Sequence, residues 1–307
     1  MTVMSCLSRC TKNYRWISLR QLGFLLGIGV LWTSFLARAE AQVSPISQPP
    51  SANSSLGAEE NFHHGNLTRA IQQWSRGIKN GTNVVQSLFN RSQAYILLKQ
   101  YEFALQDLNQ LIQIQGRNTS AQVFLIRGIA LSELNRLPEA IQSFNQSEKL
   151  QPSPLVYNNR ALAYQRAGQL PQALKDLSKS VQIAPTFVNR VNLANLRIQL
   201  GQFKQVIQEM NQLIATEKSF FPSYLTRGIA YYNLGQYENA IRDFLFSLKI
   251  FPDQPEAYYY SGLSFAKLNR KEDASQNLIR SADLYLQRNQ PTNYHQVLEK
   301  INELNLQ

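Results

Sequence analysis

Small and large apolar positions recur along this chain at a nearly constant interval. Ala70, Ala104, Ala140, Ala173, Val206, Ala240 and Ala274 follow one another at steps of 34, 36, 33, 33, 34 and 34 residues. Twelve residues before six of them stand Ser92, Gly128, Ala161, Ala194, Gly228 and Gly262, all small. Four residues after each comes a bulky side chain: Trp74, Leu108, Phe144, Leu177, Met210, Phe244 and Leu278. Five residues before each stands Gly65, Lys99, Asn135, Gly168, Gly201, Gly235 or Asn269. Gly and Asn are the residues that most readily take the left-handed backbone that ends a helix. Pro152, Pro185 and Pro252 punctuate the ends of units, where they stop one helix before the next begins. A fixed interval of this size marks a stacked repeat.

The stretch TRGIAYYNLGQYENAIRDF, residues 226–244, is one full statement of the pattern. In and around it Tyr224, Leu225, Gly228, Tyr231, Leu234, Gly235, Tyr237, Ala240, Phe244 and Pro252 stand in the order of the tetratricopeptide repeat, which the chain resembles over about residues 57–288. The resemblance implies an all-α fold, a right-handed α-solenoid of about seven helix-turn-helix units with a C-terminal capping helix. Each unit is then an antiparallel helix pair. Gly228 and Ala240 are small so that two helices approach closely, Gly235 turns the chain, and Tyr224, Tyr231 and Phe244 fill wedges. No pair buries its apolar face alone, so stability sums over neighbours. The units expected are 57–84, with a degenerate leading helix (GAEENFHH), then 85–118, 119–153, 154–186, 187–220, 221–254 and 255–288. The solenoid domain is thus 58–288. Residues 289–307 carry Val297, Leu298, Ile301 and Leu304 on one helical face and are expected to cap it; a partner-binding helix is the alternative.

The N-terminal residues 1–41 follow another pattern. Four basic residues and no acidic one precede an apolar run of 15 residues, Leu22–Leu36, and ARAEAQ then offers alanines at signal-peptidase spacing. This describes a secretory signal, and the run is shorter than the ~20 residues that cross a bilayer comfortably. An uncleaved anchor remains the alternative, extended by Gln21 and Ala37. The expected location is outside the cytoplasm, periplasmic, lumenal or secreted, with membrane attachment only if the segment is not cleaved. Residues 42–57, rich in Pro, Ser, Gln and Asn, read as a flexible linker.

Charge and cysteine content narrow the chemistry. The chain has 31 basic and 20 acidic residues, a formal net charge of +11. Five of the basic ones, Arg9, Lys12, Arg15, Arg20 and Arg38, precede Glu40, leaving 26 against 20 from Glu40 onward. Those are scattered singly, so no basic tract points to nucleic acid, and no nucleic-acid partner is expected. Both cysteines, Cys6 and Cys10, lie in the N-terminal segment, so the repeats carry no disulfide and no cysteine metal site. His63, His64 and His295 lack metal-ligand spacing. No phosphate loop or nucleophile elbow is present. The expectation is a protein without catalytic residues, metal or cofactor.

Some polar residues keep fixed company. Arg91, Arg160 and Arg227 are each followed 16 residues later by Asp107, Asp176 and Asp243, which predicts an Arg–Asp bridge within three helix pairs. Where exposed, each is worth under ~1 kcal/mol. Leu193 and Ser261 replace the arginine where Glu209 and Asn277 replace the aspartate; Arg127 with Ser143 is an exception. Arg190 and Arg197 occupy columns held elsewhere by Tyr157, Phe124 and Tyr224, and by Tyr164, Tyr95 and Tyr231. Their expected behaviour is to snorkel outward over a packed stem; a carboxylate contact or a weak joint in the array is the alternative.

The resemblance further implies binding on the concave face lined by the leading helices. Carried over, the candidate liners are Asn90, Gln93, Asn159, Gln165, Arg166, Asn192, Asn195, Gln199, Tyr232, Asn233, Tyr259 and Lys267, joined by the apolar Ile129, Leu162, Ile229 and Leu263. Asparagine offers donor and acceptor together, which suits holding an extended peptide backbone. The cationic set with which some family members grip chaperone C-termini is not assembled, because Val191 and Glu256 stand where cations are needed. The function implied is a non-enzymatic scaffold that binds a protein or peptide partner. A membrane-anchored assembly subunit and an RNA-binding helical repeat are the alternatives.

Overall fold

The computed structural model describes residues 53–304, and among them every regular element is helical. These residues divide into two compact bodies, 53–184 and 185–304. The first body pairs α1 (Asn53–His63) with α2 (Leu67–Lys79), α3 (Val84–Leu97) with α4 (Tyr101–Gln115), α5 (Ala121–Glu133) with α6 (Leu137–Leu150), and α7 (Pro154–Arg166) with α8 (Leu170–Ile183). The second pairs α9 (Phe187–Gln199) with α10 (Phe203–Thr216), α11 (Phe221–Asn233) with α12 (Tyr237–Ile250), and α13 (Pro255–Lys267) with α14 (Lys271–Gln287), and adds α15 (Pro291–Glu303). Within each body every helix packs on its partner and on the next helix in sequence, as a stack of hairpins requires. The seven expected hairpins are all present. The proposed signal, residues 1–41, and most of the proposed linker lie outside the described residues.

The turns form as their residues dictate. Gly65, Lys99, Asn135, Gly168, Gly201, Gly235 and Asn269 all have positive φ, between 56° and 77°. In the α11–α12 turn, Gly235 N–H donates to Tyr232 O at 3.0 Å and Gln236 N–H to Tyr231 O at 2.9 Å. This Schellman pair closes the last carbonyls of α11. Lys99, at φ 58°, is the member of the column whose side chain suits that backbone least.

Packing inside each hairpin follows a volume rule. Gly228 faces the ring of Phe244, and a Cβ there would stand 2.6 Å from Cε1. Gly128 meets Phe144 in the same way, with 2.5 Å left for a Cβ. Phe144 and Phe244 are fully buried. The expectation that Gly228 admits a neighbouring backbone is therefore refined: the space goes to the Phe244 ring of the same hairpin, which also stacks on Tyr260 of the next hairpin at 6.0 Å. Where the bulky column holds Leu177 or Met210, the small column carries Ala161 or Ala194. Gly262 against Leu278 departs from this rule, with 2.7 Å left for a Cβ.

A further column joins the hairpins internally. Ser147, Ser180, Ser247 and Ser281 are buried, and each donates to the carbonyl of the first residue of its own leading helix. The acceptors are Ala121, Pro154, Phe221 and Pro255, at 2.8, 3.4, 3.2 and 2.8 Å. Leu111 and Leu213 take the place in the α3–α4 and α9–α10 hairpins.

The ends of the array depart partly from expectation. α1 begins at Asn53, inside the stretch expected to be linker, because Asn and Ser favour helix starts as well as loops. It is a true partner of α2: Ala58 is buried, the rings of Phe62 and Trp74 lie 5.7 Å apart, and Asn61 donates to Gln73 at 3.1 Å. At the other end α15 buries Val297 and Ile301 against Phe265, Leu278 and Tyr285.

Candidate functional site

Neighbouring leading helices touch side by side within each body: α3 and α7 each touch α5 in the first, and α9 and α13 each touch α11 in the second. Each set presents one shared face. Hydrogen bonds between leading helices mark it. Asn90 of α3 donates to Glu59 of α1 at 3.3 Å, Arg166 of α7 to the Ser132 carbonyl of α5 at 2.5 Å, and Thr226 of α11 to Asn195 of α9 at 3.2 Å.

The twelve candidate liners fall into three groups. Arg166, Gln199, Asn233 and Lys267 are exposed. Asn90, Gln93, Gln165, Asn195, Tyr232 and Tyr259 are half-buried. Asn159 and Asn192 are 8% and 5% exposed, so little of either faces outward. Asn159 also spends its amide on the Leu155 carbonyl of its own helix, at 2.8 Å, and Asn233 does the same with Ile229. In the second body the face is aromatic: Tyr232 lies 5.5 Å from Tyr260 and 5.7 Å from Tyr237, and Tyr259 lies 5.4 Å from Tyr260. Burial pushes the Tyr232 and Tyr259 phenols above their ordinary range, opposed by the nearby Lys300 ammonium of α15. Leu263 and Tyr259 pack against the cluster that holds α15, so the capping helix borders this face.

All three predicted bridges form, and each is bidentate. Arg91 reaches Asp107 at 2.6 and 2.8 Å, Arg160 reaches Asp176 at 2.7 and 2.8 Å, and Arg227 reaches Asp243 at 2.6 and 2.7 Å. Arg127 bonds Ser143 at 2.5 Å. The surface-pair energy does not apply, since Arg160 and Asp176 are only 7% and 4% exposed. Burial raises Asp107 and Asp243, although their arginines pull the other way.

Sequence reasoning missed the third arm of these arginines. Each also reaches back to the trailing helix of the preceding hairpin: Arg91 to Ser75 at 2.8 Å, Arg127 to Asn109 at 2.9 Å, Arg160 to Asn145 at 2.7 Å and Arg227 to Asn211 at 2.5 Å. One guanidinium thus ties three helices. In the α9–α10 hairpin Leu193 removes it, and Arg197 supplies a substitute from another column by pairing with Glu209. Arg197 is therefore held by a carboxylate and does not snorkel. Arg190 is half-buried, and its side chain makes no hydrogen bond or ion pair among the described residues.

The histidines serve local structure: His64 bonds the Glu60 carbonyl at 2.7 Å, and His63 and His295 lie against Phe62 and Tyr294. Among the described residues no group of three His, Cys, Asp or Glu is placed to hold a metal. No described helix is long and apolar enough to cross a membrane.

Comparison with known proteins supplies the last observations. Sequence profiles described as tetratricopeptide repeat match residues 85–118 and 125–186, and one described as TPR repeat matches 228–269. No curated protein sequence matches the chain. Among solved structures, a tetratricopeptide repeat protein from Parabacteroides merdae superposes with a TM-score of 0.65 at 16% identity, over 80% of this chain and 97% of that one. The C-terminal part of a TPR repeat-containing protein from Cytophaga hutchinsonii superposes with a TM-score of 0.57 at 15% identity, over 75% and 95%.

Proposed function

Given that the chain is a tetratricopeptide repeat protein, we propose that it holds a peptide segment of a partner protein on the leading-helix faces and acts outside the cytoplasm without catalysis. Tetratricopeptide repeats are protein-binding scaffolds in general. The observation that carries the finer reading is the face of α9, α11 and α13. There half-buried Asn195, Tyr232 and Tyr259 stand beside exposed Gln199, Asn233 and Lys267. Amide and phenol groups at a rim of rings suit a backbone with intermittent apolar side chains. The aromatic surface contributes area with little entropy to lose.

The export part rests on the basic, apolar and small-residue order of residues 1–41. N-terminal sequencing of the native protein tests it: a start near Glu40 or Gln42 is expected, and a start at Met1 in a membrane-bound protein favours the anchored alternative. For the groove, residues 42–307 serve as bait in the native envelope. Partners recovered by this bait and lost with Asn195→Ala plus Tyr259→Ala support the face; partners retained by that variant place binding elsewhere.

A further inference from the structure

The hairpins α7–α8 and α11–α12 are built on one plan but end differently. In the first, Tyr157, Arg160 and Asp176 form a seat that already holds a carboxylate: Glu148 of α6 pairs with Arg160, lies 3.2 Å from Lys179, and is hydrogen-bonded by Tyr157. In the second, Tyr224, Arg227 and Asp243 stand at the same places. Arg227 likewise reaches back to Asn211, as Arg160 does to Asn145. Glu148 stands three residues beyond Asn145; three residues beyond Asn211 stands Ile214, which has no charge to offer.

The seat on α11–α12 is open. A depression of about 300 Å³ is lined by Tyr224, Arg227, Tyr231, Arg242, Asp243 and Phe246. Arg242 is exposed; it bonds Asn239 and has no carboxylate partner among the described residues. Phe246 is 42% exposed, with its ring 4.4 Å from that of Tyr224. Asp243 is consumed by Arg227, so one guanidinium charge remains uncompensated at the mouth.

We propose that this cleft binds an acidic peptide segment, placing a Glu or Asp carboxylate between Arg242 and Arg227 and an adjacent apolar side chain on Phe246. The seat of Glu148 shows the chemistry that the same framework accepts, and the aromatic floor selects a side chain attached to a chain rather than a bare ion. This cleft uses none of the leading-helix liners, so it is a second site beside the groove.

The test uses the full chain and an acetylated, amidated pentapeptide carrying one glutamate next to one leucine. Its glutamine counterpart and sodium acetate form the other arms. Calorimetry is expected to give binding about tenfold or more tighter for the glutamate peptide than for the glutamine peptide, and NMR to show shifts at the Arg242 and Arg227 side-chain nitrogens. Arg242→Gln, at an exposed position, is expected to remove that preference. Ile214→Glu, which offers the seat an internal carboxylate, is expected to weaken the peptide with helix content unchanged. Equal affinity of the two peptides, or a preference that survives Arg242→Gln, overturns the site. Acetate binding as tightly as the glutamate peptide overturns the peptide ligand. Asn195→Ala with Tyr259→Ala leaves this binding intact, so failure of the groove and failure of the cleft are separable.

Discussion

The joint at Arg160 and the joint at Arg227 share a framework and differ in two neighbours: Ile214 stands where Glu148 does, and Phe246 where Lys179 does. At Arg160 the guanidinium meets two carboxylates, Asp176 and Glu148, and is almost wholly buried. At Arg227 it meets only Asp243, is 18% exposed, and borders an open cleft. Burial alone would weaken the charge on Arg160, yet the bonds to Asp176 and Glu148 more than reverse this. The contrast shows how a repeat turns a structural part into a receptive one. The framework is retained, and the residue that satisfied it is withdrawn.

The largest expected effect separates the two joints by their burial. Arg160→Leu strands the buried Asp176 and leaves Glu148 with Lys179 alone, and is expected to cost about 3–5 kcal/mol. Arg227→Leu strands a single, more accessible carboxylate and is expected to cost less. Local stability from hydrogen exchange in α7 and in α11 reads both. Equal losses would mean that Glu148 contributes nothing to its joint.

The next pair checks that the bodies do not differ simply in packing. Gly128→Ala and Gly228→Ala each force a Cβ against a buried phenylalanine ring and are expected to cost about 1–3 kcal/mol. The two losses should agree, and Phe144→Leu or Phe244→Leu in the same chain should recover part of them. Thermal unfolding of single and double variants measures this coupling. Smaller again, Lys99→Gly relieves a left-handed backbone and is expected to stabilise α3–α4 by about 1 kcal/mol.

The last contrast is in pH dependence. Arg160 holds the Glu148 carboxyl down at about 2, against an ordinary 4.5. A depressed carboxylate lends stability that is present above its ordinary pKa and lost as pH falls toward the folded value. Acidification from about pH 4.5 toward 2 should therefore loosen α7–α8 by this group, and Glu148→Gln should flatten that response. Burial raises Asp243, so its contribution has the opposite sign, favoured at low pH and lost as pH rises through its folded value. Hydrogen exchange across this range distinguishes the two hairpins.

Much of this was legible in the sequence because the repeat holds its interval. The left-handed column, the small column facing the bulky one, and the three bridges at a spacing of 16 all recur in register. The backward arm of each arginine keeps register too, at Ser75, Asn109, Asn145 and Asn211, each five residues after Ala70, Ala104, Ala140 and Val206, but it precedes its arginine by 16, 18, 15 and 16 residues, because the loop between hairpins varies. The serine column was readable at its near-fixed spacing, but Leu111 and Leu213 interrupt it. The division after Ala184 leaves no mark, since the α7–α8 and α9–α10 hairpins keep the period across it. Among the liners, composition gave the polar character of the face. It did not show that Asn159 and Asn192 are buried, because burial depends on the neighbouring leading helices.

The difference between the two joints reduces to whether the Arg227 seat accepts a carboxylate as the Arg160 seat does. The direct measurement is the pKa, by NMR, of the carboxyl introduced by Ile214→Glu. A value depressed by about one unit or more below the ordinary glutamate range is predicted, as for a carboxylate beside a guanidinium. A carboxyl titrating at about 4.3, as it does in water, would contradict the equivalence of the two seats.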